Sequence, residues 1–232
     1  MDKRKEQILF TIIKEHIKTG APVGSSVLVE KYKINVSTAT VRNEMGELED
    51  EGYIMQPYTS AGRVPTEKAY KHYLDKVDIS GKEGIKSDAK ETNELAELLR
   101  GKDEASFKEV AKALSHLSGN AVFWAFHRHN IYYTGISKLF QQPEFSQVDV
   151  IFDISSVIDR IDEIINQIFN DIHLGEHILV GSENPFGNIC STVIAKYKIG
   201  EHAGLFGIIG PMRMNYEKNI SLVRFINNKL SK

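Results

Sequence analysis

Residues 37–43 read Ser37-Thr38-Ala39-Thr40-Val41-Arg42-Asn43, and an arginine, Arg63, later follows Ser60-Ala61-Gly62. These side chains recognise polar edges and make no covalent chemistry on their own. Arginine can bind guanine bidentately, asparagine can bind adenine in the same way, and threonine offers thymine a hydroxyl or a methyl. The simpler alternative makes Ser37 a helix cap and Arg42 and Asn43 an ordinary solvated face. Which holds depends on the elements that present these residues.

Ile8, Leu9, Ile12, Ile13 and Ile17 recur at helical spacing and predict an amphipathic helix over residues 3–18, stopped at Thr19-Gly20. Ser25 or Ser26 can cap a second helix reaching about Tyr32, and residues 33–36 then make a turn. A third helix, capped by Ser37 or its neighbour, carries Val41, Met45 and Leu48 as an i, i+4, i+7 stripe and ends at Gly52. With that stripe inward, Thr38, Arg42 and Asn43 project outward, and Ser37 and Thr40 flank them. Two helices joined by a short turn, the second presenting polar residues at its start, match the helix-turn-helix arrangement. The free N–H groups at that start can also hold a phosphate.

Residues 53–56 read as a strand, Tyr58, Thr59, Ser60, Gly62 and Arg63 as part of a hairpin tip with glycine at a turn position, and Arg63-Val64 as the return strand. Pro65 and a helix capped by Thr66 follow. A hairpin placed directly after such a helix is a wing, whose arginine grips backbone or minor groove.

Bulk charge argues for no polyanion partner. The chain of 232 residues has a formal net charge of -2, and residues 1–78 hold 12 basic against 12 acidic side chains. Distribution is more informative. Lys31, Lys33 and Arg42 have no acid among them, whereas Glu44, Glu47, Glu49, Asp50 and Glu51 crowd the far end of the third helix. The longest apolar run, residues 121–126, is far too short to cross a membrane, and no signal peptide is expected. Cys190 is the only cysteine, which excludes an internal disulfide and fits a reducing cytoplasm.

Residues 78–87 read as a linker, which sets domains at 1–77 and 88–232. The second has short helices around Leu95 to Leu99 and Phe107 to Leu117. Strand-like runs follow at 121–126, 131–136, 178–180, 192–197 and 205–209, with helical patterns at 156–169 and 216–229. That mixture indicates an α+β sheet domain. His173 to His177 spells H-x-x-E-H, but Gly175 and the strand-like residues after it favour a helix-to-strand turn over a zinc helix. His127 and His129 would share a strand face without a third ligand. Gly204, Gly207 and Gly210 do not form a dinucleotide loop. Phe123, Trp124 and Phe126 read as core, the alternative being the lining of a small-molecule pocket. No catalytic centre, metal or cofactor is expected.

The segments TGAPVGSSVL, NVSTATVRNEMGELEDEGYI and QPYTSAGRVPTEKAYKHYLD resemble the N-terminal winged helix of the heat-inducible transcription repressor family HrcA. YYTGISKLFQQPEF, ILVGSEN and GIIGPMRMNYEKNISLVRFI resemble that family's C-terminal GAF-like domain. The resemblance implies a repressor that binds double-stranded DNA at an inverted repeat ahead of chaperone operons, as a homodimer, and is helped to its active state by the GroEL chaperonin. Carried over by position, DNA-reading residues lie among Ser37, Thr38, Thr40, Arg42 and Asn43, with the wing at Tyr58 to Arg63. The family's long form holds a dimerising segment inserted in the GAF-like domain. Here AVFWAFHRHN passes almost directly into IYYTGISKLF, so that segment is expected to be missing. Dimerisation is then expected through the first helix, through the helix around Tyr70, Tyr73 and Leu74, or through an exposed sheet face. The competing reading keeps the winged helix and makes the C-terminal domain a small-ligand sensor.

Overall fold

The computed structural model describes residues 1–34, 36–76, 89–145 and 147–231 and divides into two units, Met1–Ser80 and Gly81–Lys232. The expected linker at 78–87 lies outside the described residues. The whole is α+β.

In the first unit α1 (Lys3–Thr19) starts where the Asp2 carboxylate accepts from the Lys5 amide and stops where Gly20 turns left-handed. Helix α2 (Ser25–Glu30) has Gly24 as its N-cap and no side-chain cap, so neither Ser25 nor Ser26 serves there. It also ends before Tyr32. The two residues following it are drawn to the buried Glu15, whose carboxylate accepts from Lys31 Nζ and from the Tyr32 hydroxyl. Helix α3 (Thr38–Asp50) follows, then β1 (Ile54–Met55), β2 (Val64–Pro65) and α4 (Glu67–Lys76).

The antiparallel ladder pairs Ile54 with Pro65 and Met55 with Val64. It is shorter than expected at 53–56 and shifted by one residue at the return. Arg63 leaves this ladder and instead bridges Val23 through two backbone hydrogen bonds of 2.9 Å. Pro65 is tolerated because a strand's edge does not require its N–H. Ile8, Leu9, Ile12, Ile13, Tyr70 and Tyr73 are all buried within this unit. Two of the three surfaces suggested for dimerisation are therefore occupied by the unit's own core.

The second unit begins with α5 (Ala89–Leu98), which tightens into a 3-10 turn at Leu99–Gly101, and α6 (Glu104–Ser118). Next come β3 (Ala121–His127), β4 (Asn130–Thr134), α7 (Ile136–Phe140), α8 (Val148–Asp159) and α9 (Ile161–Asp171). The unit finishes with β5 (Gly175–Val180), β6 (Cys190–Ile199), β7 (His202–Pro211) and α10 (Tyr216–Leu230). The strands form one antiparallel sheet in the order β4-β3-β7-β6-β5.

Alternation along β3 feeds two cores, as the period of two requires. Ala121, Phe123 and Ala125 pack with Leu139, Ile154, Ile165 and Phe169 from α7, α8 and α9. Trp124 faces the other way, stacked between Phe107 of α6 at 4.9 Å and Phe206 of β7 at 4.6 Å between ring centroids. Its Nε1 donates to the Tyr197 hydroxyl at 2.9 Å. Gly204 stands opposite Tyr197, where a Cβ would come within 2.4 Å of that phenol. The glycines of β7 thus admit large neighbours and line no dinucleotide loop.

Three elements differ from expectation. Ile136 begins a helix and does not continue β4, because Gly135 turns the chain at φ 76. The helical pattern at 156–169 is two helices, broken at Arg160. His127 ends β3 while His129 sits in the turn to β4, so they share no strand face.

Candidate nucleic-acid interface

Ser37 is the N-cap of α3: its Oγ accepts from the Thr40 amide at 3.1 Å and lies 2.9 Å from the Thr40 hydroxyl. The stripe of Val41, Met45 and Leu48 is buried, and Ser37, Thr38, Arg42 and Asn43 are exposed, with Thr40 half-buried beside them. A helix whose first turn is free of acid and whose start faces solvent suits an anionic ligand, since its first N–H groups lack intrahelical partners. Capping and exposure are compatible roles for Ser37, because its hydroxyl engages one amide only.

Glu44, Glu47, Glu49 and Glu51, at the acidic end of α3, are ion-paired within the unit. Glu44 is buried and ion-paired with Arg4, while Lys5 of α1 bridges Glu47 at 2.7 Å and Glu51 at 2.9 Å. Hydrogen bonds donated to the Glu47 and Glu51 carboxylates raise the Lys5 pKa, and the Lys5 ammonium lowers that of Glu51. The polarity visible in the sequence thus separates a solvent-facing polar start from an end whose acids hold α1. Of the cations near that start, Lys31 is committed to Glu15 at 2.5 Å, whereas Lys33 and Arg42 are exposed.

The hairpin tip carries Tyr58, which is 67% exposed, with exposed Thr59 and Ser60. The Ala61 amide donates to the Tyr58 carbonyl at 3.0 Å, and Ser60 takes φ 67. This is the third position of the turn, where type II and type I′ turns take φ > 0. Serine, not glycine, makes the bend. Gly62 serves another purpose: a Cβ there would lie 2.5 Å from the Val23 backbone carbon, so only glycine lets the hairpin seat against the segment before α2.

Arg63 is half-buried at the base of the hairpin, its Nε and Nη2 both 2.8 Å from Glu49 Oε2. The other oxygen, Oε1, accepts from the Gln56 amide at 3.1 Å. The structure therefore groups Ser37, Thr38, Thr40, Arg42 and Asn43 at one end of α3, and Tyr58, Thr59 and Ser60 at an exposed tip. Gly62 and Arg63 belong to the seating of that tip. Sequence reading missed Glu49, Arg4 and Lys5 as the residues that hold this assembly. Their partners lie 14, 40 and 42 or more positions away, beyond the reach of helical or strand periodicity.

In the second unit His173 lies between α9 and β5, His177 lies on β5, and His177 Nε2 contacts the His173 carbonyl oxygen at 2.9 Å. The continuous helix that H-x-x-E-H chemistry needs is not formed. Cys190 is buried, which pushes its thiol pKa up to about 12.

An exposed polar helix start and an exposed hairpin tip anchored to Glu49 and Val23, followed by a five-stranded sheet unit, define a two-unit α+β protein. A family model described as the HrcA protein C terminal domain matches residues 34–220, a span that includes α3 and the hairpin as well as most of the second unit, and the chain belongs to the HrcA family. The heat-inducible transcription repressor HrcA of Carboxydothermus hydrogenoformans is 27% identical over 333 aligned positions, covering 100% of this chain and 97% of the relative. That of Moorella thermoacetica is 28% identical over 335, covering 100% and 97%. With 232 residues spread over 333 positions, about a hundred positions of the first relative have no counterpart here. At the point where the resemblance puts the inserted segment, His127 pairs directly with Asn130 across a tight turn. A crystal structure described as a hypothetical protein superposes with a TM-score of 0.79 at 18% identity, covering 100% of this chain and 98% of that one, which is a likeness of fold.

Proposed function

We propose that this chain is a transcription repressor that reads an inverted-repeat operator with an N-terminal winged helix-turn-helix. In this reading α2 and α3 are the helix-turn-helix and β1–β2 the wing, and the second unit is GAF-like, serving regulation and assembly. The observation that carries it is the exposed set Ser37, Thr38, Arg42 and Asn43, with half-buried Thr40, at the acid-free start of α3. Arg42 and Asn43 read base edges, Ser37, Thr38 and Thr40 contact backbone or thymine, and Tyr58, Thr59 and Ser60 meet the flanking groove. Membership of the HrcA family supports heat-inducible repression of transcription; chaperone operons as targets, two chains per operator and GroEL as the partner that restores the active state complete the proposal.

A small-ligand sensor finds less support. Trp124 and Phe123 are wholly buried in side-chain packing on opposite faces of the sheet, which uses up the aromatic strand that would have lined a pocket. Genome-wide mapping of bound DNA tests the reading. Peaks over inverted repeats ahead of chaperone operons, lost on heating, are expected; scattered binding without a shared repeat would overturn it.

A further inference from the structure

Glu49 ties both legs of the hairpin to α3. Its Oε1 accepts from the Gln56 amide, just after β1, and its Oε2 accepts from the Arg63 guanidinium, just before β2. Gln56 continues the link outward, its Nε2 donating to the Ala61 carbonyl at 3.0 Å. From the other side the Arg63 backbone is held in the two-way bridge to Val23, which Gly62 makes sterically possible.

A wing arginine is ordinarily taken as a phosphate contact. Here the guanidinium spends its Nε and one terminal nitrogen on a carboxylate, and only 23% of its side chain is exposed. The pair occupies the Nε–Nη2 edge, one of the two edges by which a guanidinium grips a phosphate bidentately, and giving up that edge to DNA would leave Glu49 uncompensated beside a polyanion. We infer that Glu49 and Arg63 form a latch that sets the wing relative to α3, so that Arg63 is a positioning residue and not a DNA contact. The inference rests on the winged-helix reading above for its effect on DNA, while the latch itself is a property of the N-terminal unit.

The two roles predict opposite signs. If Arg63 bound phosphate, R63A would lower the salt slope of binding by about 0.9, and E49A would strengthen binding by removing a negative charge. With a latch, R63A and E49A each weaken operator binding by about two- to fivefold, the worth of a solvent-screened ion pair. The double variant is then no worse than either single, and R63A leaves the salt slope unchanged. The charge swap E49R/R63E recovers part of the loss, which truncation of a merely structural residue would not allow.

The measurement uses the full chain on a duplex carrying the mapped repeat, over a range of salt, together with amide hydrogen exchange without DNA. In E49A, exchange at Gln56 and Arg63 should accelerate while α1 stays protected. A reduced slope for R63A, tighter binding by E49A, or unchanged exchange at the hairpin would each overturn the latch. Failure of the wild-type chain to prefer the repeat would instead count against the DNA reading, and the exchange experiment would still decide the latch.

Discussion

Among single residues, some polar side chains are committed to partners within the chain and others are left to a ligand. Arg63 is engaged by Glu49 and Lys31 by Glu15, whereas Arg42 and Asn43 stand exposed on α3. Replacing Arg42 or Asn43 by alanine should therefore weaken specific binding by about 1–3 kcal/mol each, since a bidentate base contact is worth that much. The fold should be spared, because neither side chain is buried. Titration against operator and random duplexes checks this. Equal losses on both would show that these residues touch phosphate alone.

At the scale of elements, turns and clasps decide more than propensity does. Gly62→Ala would drive a Cβ to within 2.5 Å of the Val23 backbone, and backbone cannot rotate away as a side chain can. Loss of about 1–3 kcal/mol from the N-terminal unit is expected in denaturant unfolding, the usual cost of an overpacked contact. A variant as stable as wild type would mean that the seating is not tight.

The α1–α2 clasp makes a pH prediction. Hydrogen bonds from Lys31 and Tyr32 hold the Glu15 pKa below its ordinary value of 4.5, and the same contact pushes the Tyr32 hydroxyl up to about 12. A depressed carboxylate stabilises the fold above its unfolded pKa and loses that contribution as pH falls through the folded value. Thermal unfolding should show Glu15→Gln less stable than wild type at pH 7, with the gap closing below about pH 4.5. A gap independent of pH would remove ionisation of Glu15 from the account.

Helix α3, its cap at Ser37 and its buried stripe were legible because periodicity and capping are local signals. The hairpin was legible as a hairpin, but the division of labour between Ser60 and Gly62 was not. Sequence shows a glycine near a turn without showing whether φ or close approach requires it. The break between α8 and α9 escaped for a similar reason. Arg160 is neither glycine nor proline and caps α9 with no side-chain capping hydrogen bond, so no residue type marks the joint. Buried Glu44 and the Glu49 latch rest on partners distant in sequence, and no local pattern announces them.

At the scale of the whole molecule, one winged helix covers only a half-site. An inverted repeat needs two copies with recognition helices about 34 Å apart or a multiple of it. Among the described residues the apolar stripes of α1 and α4 are buried and helices pack on both faces of the sheet, which leaves the edge strands β4 and β5 as its half-covered part. A dimer is nonetheless expected, and sedimentation at micromolar concentration should show it. A chain that remained monomeric on and off DNA would require another protein to pair the half-sites.

The most direct test of the central claim, that α3 reads sequence, is a paired titration of wild-type chain and the R42A/N43A double variant against the mapped inverted repeat and a scrambled duplex of equal length at fixed salt. Wild type should prefer the repeat by about a thousandfold or more, with two chains bound, and the variant should lose most of that preference while keeping its weak binding to scrambled DNA. Equal affinity of wild type for both duplexes, or a variant that keeps the full preference, would contradict the account.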